Sequence, residues 1–247
     1  KAQTKNMFKR LLILLCLAGP LASCDTLTNL PVGTSPVSIT EGEAAQGIKQ
    51  ALEQGIARGI TTLNIEDGFL GNQAYKIFLP AEAQRIENTL RQLGMGAMVD
   101  KAITQINRGA ENAVGFARPI FTDAIMEMTI TDAINIIRGP NDAATQYFRQ
   151  KTTDKLKAAF APVIKSSLDK FSATKYYSDV INTYNNFPTT INKINPDLES
   201  HVVDKAVGAL FDQIAKEEAN IRANPVARTT EILRKVFGYA ARNQSGF

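Results

Sequence analysis

The sequence predicts an all-α fold, and three observations predict it. Apolar residues recur at spacings of three and four through most of the chain from Thr40 to Gly238, the period of a helix with one buried face. Alternating apolar and polar runs are nearly absent, which leaves room for at most one short strand pair. Helix start and stop signals, such as Thr40-Glu41-Gly42-Glu43, Asn195-Pro196 and Gly139-Pro140, punctuate the apolar stripes. The expected architecture is a single bundle-like domain of about ten helices with short loops and sequential antiparallel packing. A division into two lobes near Asn141 is compatible with the same pattern, and no solenoid repeat is present. Across 247 residues, 44% hydrophobic and 21% charged, the composition suits a globular fold and excludes bulk disorder.

The first segment reads as an address rather than as part of the bundle. Lys1, Lys5, Lys9 and Arg10 form a basic start, Leu11 to Leu17 is apolar, and small residues follow. This is the pattern of an export signal over 1–23, in which Met7 reads as the natural start and 1–6 as upstream sequence. The apolar stretch Leu11 to Ala22 is too short to span a hydrocarbon layer about 30 Å thick. Leu21-Ala22-Ser23-Cys24 resembles the lipobox of bacterial lipoproteins, which implies cleavage before Cys24 and a diacylglycerol on its thiol. Residues 24–39, rich in Thr, Ser, Pro and Gly, read as an extended tether. The chain beyond Cys24 has no other cysteine, so no disulfide contributes to its stability.

The bundle is expected over 40–238, with a loose tail at 239–247. Thr40 and Glu43 form a capping box that opens a helix with Ile48, Leu52, Ile56, Ile60 and Leu63 on one face. Gly47, Gly55 and Gly59 in that helix each cost up to about 1 kcal/mol against alanine, so close backbone packing in a bundle is the expected compensation. Glu66 to Asn72 is a turn region, and Ala74 to Leu79 reads as a short extended piece. Pro80 starts a helix with Ala83, Ile86, Leu90 and Leu93 inward, which stops at Gly94. The next runs from Ala97 to Ala117, and Pro119 starts one carrying Phe121 and Ile125. Thr129 or Thr131 caps another that ends at Gly139.

Asn141-Asp142 is the expected cap of a helix through Phe148. A break is expected before Pro162, which removes one ladder donor. Thr174 to Asn186 forms the next helix. Asn195-Pro196 begins the longest, with Leu198, Val202, Ala206, Leu210, Ile214 and Ile221 inward, and Asn224-Pro225 begins the last.

The chemistry legible in the chain is sparse. His201 is the only histidine, so no Ser-His or Cys-His nucleophile system is identifiable. A Ser-Lys arrangement at Lys165-Ser166-Ser167-Lys170, or a carboxylate pair, leaves an envelope hydrolase open as an alternative. The acids are scattered without calcium-loop spacing, and the phosphate-loop fingerprints are incomplete, so neither metal nor cofactor is expected. Asp142, Tyr147, Arg149, Lys165, Tyr176, Arg222 and Arg228 lie near predicted helix ends and form a candidate groove for a small anionic ligand.

Several blocks resemble an uncharacterised bacterial family, the domain-of-unknown-function family 4197. They include Asp67-Gly68-Phe69-Leu70, Lys76-Ile77-Phe78-Leu79-Pro80, Ala117-Arg118-Pro119-Ile120-Phe121, Asp142 to Arg149, Val163 to Lys170, Asn195-Pro196-Asp197-Leu198 and Asn224 to Thr230. The resemblance implies a helical domain behind a lipoprotein or secretory signal and carries no site residues.

The function expected from the sequence is therefore a lipid-anchored protein of the bacterial envelope acting as a binding or scaffolding module, with a carrier of an apolar ligand as a further alternative. The expected partners are membrane lipid through Cys24, and an envelope protein or a small anionic or apolar ligand. The formal charge of +4 invites a nucleic-acid reading, but four of the 28 basic residues precede the cleavage site, leaving 24 against 24 acids. A neutral mature chain gives that reading no support.

Overall fold

The computed structural model describes residues 40–92, 94–170, 173–186, 188, 193, 197–228 and 230–244. The expected signal, Cys24 and nearly all of the tether lie outside them. Nine α-helices and no strand occur among the described residues: α1 (Glu41–Leu63), α2 (Gln84–Gln92), α3 (Gly96–Val114), α4 (Ala117–Met126), α5 (Ile130–Arg138), α6 (Ala143–Asp169), α7 (Ala173–Asn185), α8 (Leu198–Ala223) and α9 (Glu231–Gln244). Single 3₁₀ turns precede α2 and α9.

The long helices α6 and α8 form the centre. α6 lies against α3, α4 and α8, and α8 also lies against α1. Because the elements before and after Asn141 interleave in one core, residues 38–247 form one compact unit without a division there. The aromatic centre joins three helices. Phe121 of α4 meets Phe148 of α6 and Phe211 of α8 edge-on, at centroid distances of 5.4 and 6.0 Å. That geometry adds about 0.5–1.5 kcal/mol per pair beyond the area buried.

α1 begins as its sequence directs. The Thr40 hydroxyl accepts from the Glu43 N–H, and the Glu43 carboxylate accepts from the Thr40 N–H. Lys235 of α9 donates to the same carboxylate at 2.6 Å. The lysine hydrogen bond, joined by those of Thr40, lowers the Glu43 pKa to about 2. A depressed carboxylate contributes stability above its ordinary range and loses it as the pH falls towards that value. The apolar stripe Ile48, Leu52, Ile56, Ile60 and Leu63 is buried as expected.

Gly47, Gly55 and Gly59 of α1 face other helices. A Cβ at Gly47 would stand 2.6 Å from the Val236 Cγ2 of α9, whereas one at Gly55 would make ordinary contact with Glu217 of α8.

Six features differ from the sequence expectation. α6, with 27 residues, exceeds α8, with 26, because it continues through Pro162, so α8 is not the longest helix. Ala74 to Leu79 is not a strand, because its buried backbone pairs with a side chain instead. Asn107 of α3 accepts from the Ile77 N–H at 2.8 Å and donates to the Ile77 carbonyl at 2.9 Å. The expected single helix from Ala97 breaks at Gly115-Phe116, and Ala117 already belongs to α4. Asp142 stands at the α6 start, but its side chain makes no capping bond there. It pairs with Gln146, while Glu218 of α8 accepts from the Ala144 and Thr145 N–H groups.

α6 runs through Pro162 as one helix. Phe160 and Ile164, both wholly buried, flank the proline, so packing outweighs the one missing ladder bond. The last helix begins at Glu231, after a 3₁₀ turn at Pro225–Ala227, and continues past Gly238 to Gln244.

The glycine geometry fixes the sign of two substitutions. Gly47→Ala should destabilise by about 1–3 kcal/mol in urea unfolding, because the new methyl overpacks Val236. Gly208→Ala, in the middle of α8 with open space around the new Cβ, should stabilise by up to about 1 kcal/mol.

Candidate functional site

The segment Asn64–Pro80 carries no regular secondary structure, yet it is tied down along its length. Glu111 of α3, 4% exposed, accepts from the Phe69 and Leu70 N–H groups with one oxygen and from Arg108 with the other. Arg108 also reaches Glu66 and Asp67. Asp67 holds a left-handed backbone, φ 65°, a conformation that favours glycine and is kept here by its surroundings.

Further along, the Tyr75 hydroxyl meets Asp212 at 2.7 Å and Lys216 at 2.8 Å, both on α8. Asn107 fixes Ile77, and His201 of α8 bonds the Phe78 carbonyl at 3.1 Å. These contacts deliver Leu79 and Pro80, and hence α2, to a set position.

α2 is bound differently from the other helices. None of its residues is fully buried. Arg91 connects it to α3 by an ion pair with Asp100 at 2.8 Å, and also pairs with Glu87 in its own helix at 2.9 Å. Gly94, at φ 82°, makes the tight turn between the two helices.

Behind α2 lies a cavity of about 300 Å³. Ala83, Ile86 and Leu90 form one wall, and Met98, Val99 and Ala102 of α3 the opposite one. Tyr177 and Ile181 of α7 close the side, with Leu79 and Leu198 at the base. The cavity is roughly twice the ~150 Å³ of an apolar cavity that admits benzene. Met95 and Met98, 40% and 37% exposed, stand at its edge, where unbranched thioethers adapt to varied shapes.

The seven residues of the expected anion groove are not gathered in one place. Asp142 and Lys165 lie on the same helix, about 34 Å apart along its axis at ~1.5 Å per residue. Tyr147 is half-buried edge-on to Phe148, and Arg149 covers the Phe211 ring at 4.7 Å. Arg222 and Arg228 come together but act on the frame. Arg222 pairs with the buried Glu218 at 2.8 Å and donates to the Ile136 carbonyl of α5. Arg228 donates to the Ile221 and Arg222 carbonyls at the end of α8, where a cation complements the helix dipole. The Tyr176 side chain and Cys24 lie outside the described residues.

Of the Ser-Lys set, Ser166, Ser167 and Lys170 line one open space of about 330 Å³ near the end of α6, and Lys165 is not part of that lining. Lys165 is exposed and donates to Asp169 at 2.7 Å. That hydrogen bond raises its pKa, the opposite of what a general base near neutral pH requires. Ser167 is buried against Gly109. Among the described residues no cluster of three metal-ligating side chains occurs, and no helix is long and apolar enough to cross a membrane.

Asn107, Glu111 and Glu218 escaped the sequence reading although a signal was present. Each stands on a buried stripe of its helix: Asn107 beside Ile103 and Ala110, Glu218 between Ile214 and Ile221. A polar side chain at an apolar position of the helical period marks a buried partner elsewhere.

A family model described as a protein of unknown function (DUF4197) matches residues 38–238. No curated protein and no solved structure matches the chain.

Asn107→Leu should lower the unfolding free energy by about 2–5 kcal/mol, since the Ile77 N–H and carbonyl are left unpaired in a buried site. Urea unfolding beside the wild-type chain measures it.

Proposed function

This chain is a member of the DUF4197 family of proteins of unknown function, and from that premise we propose that it is a lipid-anchored binding module of the bacterial envelope. Its ligand is an apolar molecule with one alkyl chain, held between α2, α3, α7 and the start of α8. The observation that carries the reading is the cavity, about 300 Å³ and lined mostly by aliphatic, methionine and tyrosine side chains. Ligand sites are typically concave, mostly apolar and few per protein, and this volume lies at the lower end of their range.

The surrounding architecture supports the same reading. α2 forms a wall without being buried in the core, so it can yield to a guest at small cost in stability. The Asn107 and Glu111 anchors hold the base of that wall in place. Support for the anchor comes from the sequence: a basic start, an apolar stretch and Leu21-Ala22-Ser23-Cys24. An acylated cysteine followed by a Pro- and Ser-containing tether sets the domain near a source of alkyl chains.

Two measurements test the two halves. Titration with an apolar naphthylamine dye should give saturable fluorescence, and Ala102→Phe, which fills the cavity from the α3 side, should weaken it about tenfold or more without lowering the melting temperature. Equal binding by the variant contradicts the cavity as the site. Mass spectrometry of the native membrane fraction should find Cys24 at the mature N-terminus carrying diacylglycerol, and an unmodified Cys24 there contradicts the anchor.

A further inference from the structure

Among the described residues, only Glu87 and Lys101 bring charge to the cavity lining. They are not equivalent. The Glu87 side chain is 15% exposed, and its carboxylate is engaged by Arg91 at 2.9 Å, so its charge is compensated within α2. Arg91 is itself shared with Asp100 of α3, so one cation serves both acids. Lys101 follows Asp100 directly and is exposed, and its ammonium has no hydrogen-bond or ion-pair partner among the described residues. Among the described residues, Lys101 is therefore the one charged group of the lining whose side chain has no ion-pair partner, beside an otherwise apolar space.

We infer that the cavity takes an amphiphile with a single alkyl chain and an anionic head, its chain between α2 and α3 and its head against the Lys101 ammonium. The inference rests on the cavity reading above and adds the head group. Charge complementarity supplies the argument. A neutral chain would fill the apolar space and leave Lys101 unpaired, whereas a cationic head would be repelled by it. An ammonium is a compact point charge on a flexible stem, able to meet either a carboxylate or a phosphate. Its four-carbon stem can lie along the apolar lining while its charge stays at the water boundary.

The experiment compares four ligands of one chain length on the folded protein, below their micelle concentrations: dodecanol, dodecanoate, dodecyl phosphate and dodecyltrimethylammonium. Displacement of the bound dye reports each affinity. Dodecanoate and dodecyl phosphate should bind about tenfold tighter than dodecanol, and the trimethylammonium compound weaker than dodecanol. Which anion is preferred distinguishes a fatty acid from a phosphate headgroup. Lys101→Met should bring the ratio of dodecanoate to dodecanol affinity close to one. Lys155→Met, which removes an exposed charge of α6 away from the lining, should leave that ratio as in the wild type.

Dodecanol and dodecanoate binding equally to the wild type would overturn the anionic head while the cavity reading stands. So would a preference that survives Lys101→Met. Binding of none of the four would overturn the cavity reading and this inference with it.

Discussion

The amide of Asn107 lies wholly buried in α3 and uses both of its N–H groups and its oxygen on backbone partners. One N–H returns to the Ile103 carbonyl of its own helix; the other N–H and the oxygen hold Ile77 as a neighbouring strand would. A chain segment that enters the core without regular structure must pair its backbone groups or bear the cost of leaving them dry. Asn107 meets that requirement at the point where the segment turns towards α2. The wall of the cavity, the position of Leu79 and the path into Pro80 all follow from it. Glu111, one turn on, fixes the first half of the same segment, so one face of α3 organises the connection together with Asp212, Lys216 and His201 of α8.

A second buried carboxylate plays the matching role at the far side of the core. Glu218 of α8 accepts the first free N–H groups of α6 and pairs with Arg222, which reaches the end of α5. A helix start satisfied from another helix ties the two longest elements together where a local cap would act only within one. Removing either partner of such a buried pair leaves the other charge uncompensated. The frame is therefore rigid around α1, α3, α6 and α8. α2, with no fully buried residue, lies outside that frame and bounds the apolar space of about 300 Å³.

Much of the fold was legible because helical period and cap chemistry are local. The stripe Ile48 to Leu63, the Thr40 capping box and the stop at Gly94 appear where the residues direct, and of Thr129 and Thr131 the first is the cap of α5. What could not be read depends on contacts distant in sequence. Asp142 has the chemistry of a cap, yet Glu218 takes the position because the fold brings α8 across the α6 start. The stretch Ala74 to Leu79 reads as an extended piece, but the partner of its buried backbone is a side chain. Pro162 carries a break signal that the packing of Phe160 and Ile164 overrides. The cavity was the least legible feature. Ile86 and Leu90 look like ordinary core residues in the sequence, and only the placement of α2 leaves space between them and α3.

The account stands or falls on whether an alkyl chain occupies that space. With methionine methyl groups labelled with ¹³C, Met95 and Met98 report from the cavity edge, while Met126 and Met128 lie outside its lining. On titration with dodecanol, the account predicts saturable shifts of the Met95 and Met98 resonances, with Met126 and Met128 unmoved. Stationary Met95 and Met98 signals at saturating ligand, or equal drift of all four, would contradict it.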